Sequence, residues 1–409
     1  MSVATPAIRA RFNPFSQSYY QDPYAALHRI REEDPVHWAF FNMWVVTRYD
    51  DIVDLLKDRD SFSADHVREW SGYSPYRQVA TGESAFVRVE KGFVVFNEGA
   101  EHARLRAAMK PAFSSEAIRR LREVVTTTAN RLLDEAVARG TGTFDLLADV
   151  ARPLATRTMG KLLGVAEEHE RRLDAWAHAY NMAIEPIAGK DVLLAADRAT
   201  TELEALFLAG HETEGLGSTS MRAVLAAAER AGQVTRDEAF ALWATVVLAG
   251  NATTFNAICN GMLALLRQPE QLATLRAQPE LTKNAVNEML RFDSPGMVVT
   301  RAAARGAALG GQHIRKGQLV LAFLGAANRD PAVFTQPDRL DVGRVNASRN
   351  IAFGQGGHFC MGEQIARFEI ETVVRLLLDR LPRLRLATSD VQWVPKVHWR
   401  GLRALPVQV

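Results

Sequence analysis

The residues with the most chemical potential form one short run: Phe353-Gly354-Gln355-Gly356-Gly357-His358-Phe359-Cys360-Met361-Gly362. Glycine-rich backbone leading to a lone cysteine at the start of a helix is a way to hold an exposed thiolate. The helix N-terminus and nearby N–H groups favour the anion and lower the thiol pKa. The glycines let the loop pass close to a large flat ligand. The bland alternative is a buried, inert cysteine. Zinc is a poor rival, because the other cysteine, Cys259, sits in a helical run with no partner near Cys360. Two further pairs carry charge at helical spacing. Glu288 and Arg291 are i and i+3, so they share a face and can pair. His102 and Arg106 are i and i+4, so both can point one way towards an anion; an ordinary surface basic pair is the alternative.

These residues need elements to position them, and the pattern is mainly α with small β-sheets. Tyr24–Glu33 has helical spacing after the breaker Asp22-Pro23. Val36–Trp38 and Met43–Thr47 read as paired strands, followed by a short helix over Asp51–Lys57. From Ala100 to Gln268 the periodicity is helical throughout, and Glu288 lies in a helix starting near Leu281. Residues 308–322 switch to strand, with turns at Gly310-Gly311 and Lys316-Gly317. A helix follows Cys360, with Ile370, Val373, Val374 and Leu377 on one face, and the last segment alternates as strands around Val391–Val394. Phe240–Leu265 is apolar nearly all round, which predicts a buried central helix.

The chain has 409 residues, with 49 Lys plus Arg against 47 Asp plus Glu, a net charge of +2. No basic block marks a nucleic-acid or membrane-surface binder. The start, Met1–Pro14, lacks a secretory signal, and the apolar stretch Phe240–Gly250 is too short for a span. Two cysteines make no disulfide framework. The expectation is a soluble cytoplasmic monomer of one domain over 1–409, with residues 1–20 an extended or flexible N-terminal segment.

The spacing Phe-x-x-Gly-x-His-x-Cys-x-Gly, met by Phe353, Gly356, His358, Cys360 and Gly362, resembles the haem-ligand signature of the cytochrome P450 family. Glu288-Met289-Leu290-Arg291, some seventy residues upstream, resembles the family's ExxR motif. Pro337-Asp338-Arg339-Leu340 resembles the segment that completes it, with Arg339 as the third member. Asn328-Arg329-Asp330-Pro331 also looks like family sequence. The resemblance runs from Asp22-Pro23-Tyr24 to the C-terminal strands and is strongest over 281–380. It implies a single-domain P450 fold, with haem b between the long central helix and the loop of its axial ligand, Cys360. Phe353 and Gly354 then belong to the haem loop, and His102, Arg106, Arg301 and His358 bind the propionates. The missing N-terminal anchor is similar to the soluble bacterial members.

Ala249-Gly250-Asn251-Ala252-Thr253-Thr254 resembles the family's Ala-Gly-x-(Asp/Glu)-Thr-Thr, where the central helix bulges beside the iron. Gly250 makes room for dioxygen and Thr253 aligns with the proton-relay threonine, but the acid position is Ala252. Either Asn251, waters and Thr253 carry the protons, or the reaction needs less proton delivery, as in peroxide-driven turnover or oxidative coupling. The resemblance implies a monooxygenase, with electrons from a separate ferredoxin and ferredoxin reductase drawing on NAD(P)H; a non-oxygenating haem protein is the rival reading. Trp70, Phe86, Val246, Ala249, Met297, Val298, Val299 and His398 are the expected pocket positions, suited to an apolar or aromatic natural-product substrate. Arg77 and Arg88 are the candidate anchors for a substrate carboxylate.

Overall fold

The computed structural model describes residues 12–39, 43–65, 84–185, 188–211 and 219–409. The chain opens with α1 (Gln17–Gln21) and α2 (Pro23–Glu33), then strands β1 (Val36–Trp38) and β2 (Met43–Val46), α3 (Tyr49–Lys57) and β3 (Phe62–Ser63). A long helical run follows: α4 (Ala85–Glu90), α5 (Gly99–Met109), α6 (Ser115–Ala138), strand β4 (Thr143–Asp145), α7 (Arg152–Leu163), α8 (Glu170–Ala183), α9 (Lys190–His211) and α10 (Met221–Arg230). The centre is α11 (Arg236–Ala249) and α12 (Ala252–Leu266), followed by α13 (Pro269–Ala277) and α14 (Thr282–Phe292). Strands β5 (Val298–Ala303), β6 (Ala307–Leu309), β7 (Gln312–Ile314) and β8 (Leu319–Phe323) precede α15 (Leu324–Ala327), α16 (Glu363–Arg380), β9 (Arg385–Leu386) and β10 (Pro406–Gln408).

The main sheet has the order β1-β2-β8-β5-β3, with β2 and β8 parallel and the other pairs antiparallel. Its two faces divide the apolar side chains. Phe12, Tyr19, Leu27 and Phe323 fill one side, and Ile52, Leu55, Val320 and Phe334 the other. The N-terminal segment is thus partly structured, contrary to expectation. Ser16 caps α1 through a bond from the Tyr19 amide, while Phe12 and Tyr19 stack edge to face at 5.8 Å.

The third and largest core is built around α11 and α12. Thr235 and Glu238 form a reciprocal capping box that starts α11. Trp243 is fully buried, and its indole N–H donates to Leu163 O at 2.9 Å. Each large apolar side chain buried there contributes roughly 1.5–3 kcal/mol relative to exposure. The span Arg236–Leu266 is long and apolar enough to cross a membrane, but 78% of its most apolar window is buried inside the protein. That burial identifies a core helix.

Candidate functional site

From Ala239 to Leu265 every residue is buried except Ala249, Gly250, Ala252 and Thr253. The central helix therefore meets open space at one place, where it is interrupted between α11 and α12. Backbone bonding is rerouted there. Asn251 O accepts from the amides of both Thr254 and Phe255, while side chains take the carbonyls just before it. Thr253 Oγ1 donates to Ala249 O at 2.8 Å, and Asn181 Nδ2, from α8, donates to Leu248 O at 3.0 Å. Asn251 itself points into the protein: Thr156 Oγ1 donates to its Oδ1 at 3.3 Å, and its Nδ2 donates to Asp174 at 2.8 Å.

The cysteine loop packs against α3. Gly356 has φ +70°, and a Cβ there would meet Leu56 O at 2.8 Å, so side chains are excluded on two grounds. Cys360 lies before α16, where the amides of Gly362 and Glu363 donate to its sulfur. Burial nevertheless outweighs these bonds and the nearby Arg106 charge, and the thiol pKa is raised rather than lowered. The helix-terminus expectation therefore names a real but smaller influence. Phe353 lies under the Arg367 guanidinium at 4.9 Å, and Phe353 O accepts from the Cys360 amide at 3.1 Å.

Beside this loop the four expected anion-binding residues converge. The His102 and His358 rings lie 4.1 Å apart, and Arg106 donates to Phe359 O at 2.5 Å. Arg301, from β5, is buried and donates to Thr300 O. Among the described residues no carboxylate lies within ion-pair distance of Arg301. Burial pushes its pKa down to about 10. Burial and the neighbouring His358, Arg106 and Arg59 push His102 down to about 4.

Two members of the cluster were missing from the sequence reading. Arg59 bonds His102 Nδ1 at 3.3 Å, and Glu98 pairs with His358 at 3.0 Å and Arg59 at 3.3 Å. Burial would raise the Glu98 pKa, but the bonds from His358 and the Ala64 amide and the Arg301 charge hold it near 2. Glu98 stands just before α5 and makes no capping bond; its side chain turns to His358 instead.

Glu288 and Arg291 are both fully buried and pair at 2.7 Å. Their third member is a correction. Arg344, not Arg339, donates from Nε to both Glu288 oxygens at 3.0 Å. Arg339 is exposed and contributes its carbonyl, which accepts from Arg291 and Arg344. The loop from Pro337 to Arg344 turns so that the later arginine faces inward.

The expected pocket is also revised. Phe86 is 0% exposed and packs edge-on to Tyr180 at 5.0 Å, so it is a core residue. Met297 is 2% exposed beneath Tyr24, which donates to its sulfur. Val246 and Val298 are buried, while Val299 is half-buried and Ala249 exposed. His398 is buried, and its amide and that of Val397 donate to the Glu185 carboxylate, tying this turn to the end of α8. Arg88 pairs with Glu204 at 3.1 Å. Trp70 and Arg77 lie outside the described residues.

The chain is similar to known proteins along nearly its whole length. The family model described as Cytochrome P450 matches residues 218–384. The "Biotin biosynthesis cytochrome P450" of Bacillus subtilis (strain 168) is 30% identical, over 96% of this chain and 97% of that one. The chain belongs to the cytochrome P450 family. "Cytochrome P450 monooxygenase PikC" of Streptomyces venezuelae is 32% identical, over 96% of this P450 and 92% of the relative. The structure of P450BioI in complex with a hexadec-9Z-enoic acid-ligated acyl carrier protein superposes with a TM-score of 0.87 at 29% identity, covering 96% and 100% of the two chains.

This P450 is thus a haem-thiolate oxidoreductase, and its own residues fit that group. A buried guanidinium with no carboxylate partner stands with two imidazoles and two further arginines around a single glutamate. That surplus of donors and positive charge matches the two carboxylates of a haem. Cys360, in its glycine-lined loop, would be the side chain to ligate the iron. When bound, the thiolate-ligated haem supplies the redox chemistry with dioxygen.

Proposed function

We propose that this P450 is a monooxygenase of natural-product metabolism, inserting oxygen into a small to mid-sized apolar organic substrate. The observation that carries this reading is the opening at Ala249–Thr253, the only break in an otherwise buried helix. Small side chains there leave room for a small gas and an apolar substrate, and Thr253 places a hydroxyl on that face. Among the described residues the opening presents the small aliphatic and polar side chains of Ala249, Ala252 and Thr253, while Phe86 and Phe323 are buried in the core. The relatives support the pathway class, since their printed names include a biotin-biosynthesis P450.

Residues 102–106, 288–291, 301 and 353–360 are assigned as the haem scaffold, with Cys360 the axial ligand and Arg344 taking the place expected of Arg339. Electrons come from a separate ferredoxin with its NAD(P)H-dependent reductase, in the cytoplasm. Phe359, 40% exposed beside Cys360, offers an apolar contact on that face. Arg122, exposed on α6 over the Phe368 ring of the helix that follows the loop, adds a cation that suits an acidic partner.

The test is turnover under ¹⁸O₂ with a reconstituted ferredoxin system and a panel of free and carrier-bound acyl and terpenoid compounds. Product carrying the label supports the proposal. Ala252 favours a second reading, peroxide-driven or non-oxygenating chemistry. Product formed only with peroxide, or compounds bound without any product, would select it.

A further inference from the structure

The helix opening lacks an acid of its own, since Ala252 stands at that position, yet a carboxylate reaches the opening from elsewhere. Asp174 lies on α8, 77 residues away in sequence, and its Oδ1 accepts from Asn251 Nδ2 at 2.8 Å. Its Oδ2 pairs with Arg152 at 3.4 Å, and the Arg152 guanidinium stacks over Phe255 at 4.7 Å. Thr156, one turn after Arg152 on α7, closes the chain by donating to Asn251 Oδ1 at 3.3 Å. Asn251 is 1% exposed, so its amide is held from both ends inside the protein. The same helix α8 also supplies Asn181, which holds Leu248 O.

Two side chains of α8 thus grip the interruption on either side of Gly250. Position 250 admits no side chain, because a Cβ there would meet Val246 O at 2.9 Å and Met159 at 3.5 Å. The bonds at 248 and 251 restrain the backbone between them and the start of α12, where Thr253 lies. The bond to Asp174 is charge-assisted, which makes it the stronger of the two ties on Asn251.

We propose that Asp174 is a positioning residue for the oxygenation reaction. Acting through Asn251, it holds the stretch 249–253 open and presents Thr253 to the open space, so that α8 supplies the anchoring carboxylate the central helix lacks. The proposal rests on the monooxygenase reading. It also makes the opening sensitive to α8, because a shift of that helix moves both Asp174 and Asn181.

The test compares Asp174→Asn, the exchanged pair Asp174→Asn/Asn251→Asp, and Ala252→Asp in each background. Asp174→Asn removes the charge at nearly constant volume; the exchanged pair restores an amide–carboxylate bond with donor and acceptor swapped. Two readouts are taken on the haem-loaded protein: product formed per NAD(P)H consumed, and hydrogen exchange at the amides of 250–255. Asp174→Asn should speed exchange at those amides about tenfold, the size of one lost charge-assisted bond. It should also lower coupling several-fold with the thermal midpoint nearly unchanged, and the exchanged pair should recover both. Ala252→Asp should make coupling less sensitive to Asp174→Asn. Unchanged exchange and coupling in Asp174→Asn, or an exchanged pair as impaired as the single variant, would overturn the proposal. Thr253→Ala, assayed alongside, separates the two levels. Loss of coupling there but not in Asp174→Asn removes the positioning role alone; no effect in either removes the reading beneath it too.

Discussion

Two charged clusters of this P450 are built on opposite principles. Around Glu288 the network is closed. Arg291 donates to Asn328 O, Pro337 O and Arg339 O besides the carboxylate, and Arg344 to Thr335 O, Gln336 O and Arg339 O. The Asp341 amide donates to Glu288 as well, so the two guanidinium groups and the carboxylate find their hydrogen-bond partners within the protein. Around His358 the cluster is open: Arg59, His102, Arg106, Arg301 and His358 face one carboxylate, Glu98. A closed network has nothing left to bind and serves the scaffold. An open one holds donors in place for something the polypeptide does not contain.

The sharpest way to break this contrast is to remove a member of the closed network. Arg344→Ala takes a buried partner from the Glu288 carboxylate and leaves the carbonyls of Thr335, Gln336 and Arg339 without its donors, and should cost about 3–5 kcal/mol in denaturant unfolding. Arg339→Ala, which keeps the carbonyl and loses only an exposed side chain, should cost less than about 0.5 kcal/mol. Equal effects would mean that the assignment of the inward arginine is wrong.

Removing a member of the open cluster should act on the ligand instead of the fold. Arg301→Ala is expected to speed haem transfer to an apoglobin scavenger by roughly 10–100-fold, the loss of one or two charge-assisted bonds. The haem-free chain should unfold no more easily than the parent, because the variant removes a buried cation that lacks a carboxylate partner.

Acid sharpens the contrast further. In the haem-free fold the His102 pKa lies near 4, below the ordinary 6.5, so between those values the unfolded chain binds a proton that the folded chain refuses. Stability therefore falls as pH drops through that window. Glu98, held near 2 against an ordinary 4.5, adds a second loss below about pH 4.5. His102→Gln should flatten the fall in unfolding free energy between pH 7 and pH 5 by about 1 kcal/mol or more; an unchanged slope would place the titration elsewhere.

Glu369 on α16 is a third kind of buried carboxylate, with no cation paired to it among the described residues. It is 3% exposed, its Oε2 has no partner among the described residues, and burial pushes its pKa up to about 8 against a bond from Thr158. The folded state holds a proton that the unfolded chain releases above about pH 4.5, so this group lowers stability as pH rises from there to about 8. Glu369→Gln should narrow the gap in thermal midpoint between pH 6 and pH 9 by a few degrees, at about 2–4 °C per kcal/mol.

Much of this was legible because the chemistry is local in sequence. The cysteine loop, the Glu288–Arg291 pair and the His102–Arg106 pair each lie within one turn or one loop; spacing puts each pair on one face, and the resemblance to the family gives them their expected roles. The helix over Pro23–Glu33 and the strands at Val36–Trp38 follow from period and breakers in the same way. What failed was long-range. Arg339 and Arg344 both lie in the loop after α15, and only its winding decides which faces Glu288. An aromatic such as Phe86 reads alike whether it lines a pocket or fills a core; its contact with Tyr180 settles that, and Tyr180 is 94 residues away. Asp174 carries no motif at all, and only the packing of α8 on the central helix gives it a role.

The open cluster's purpose is tested most directly by reconstituting the haem-free chain with protohaem and with its dimethyl ester, which differ only in the two carboxylates. Protohaem should be retained at least about 100-fold better, as expected for several charge-assisted bonds, and Arg301→Ala should shrink that ratio while Arg339→Ala leaves it intact. Equal retention of the two haems by the parent protein would contradict the account, leaving the surplus charge around His358 without its assigned ligand.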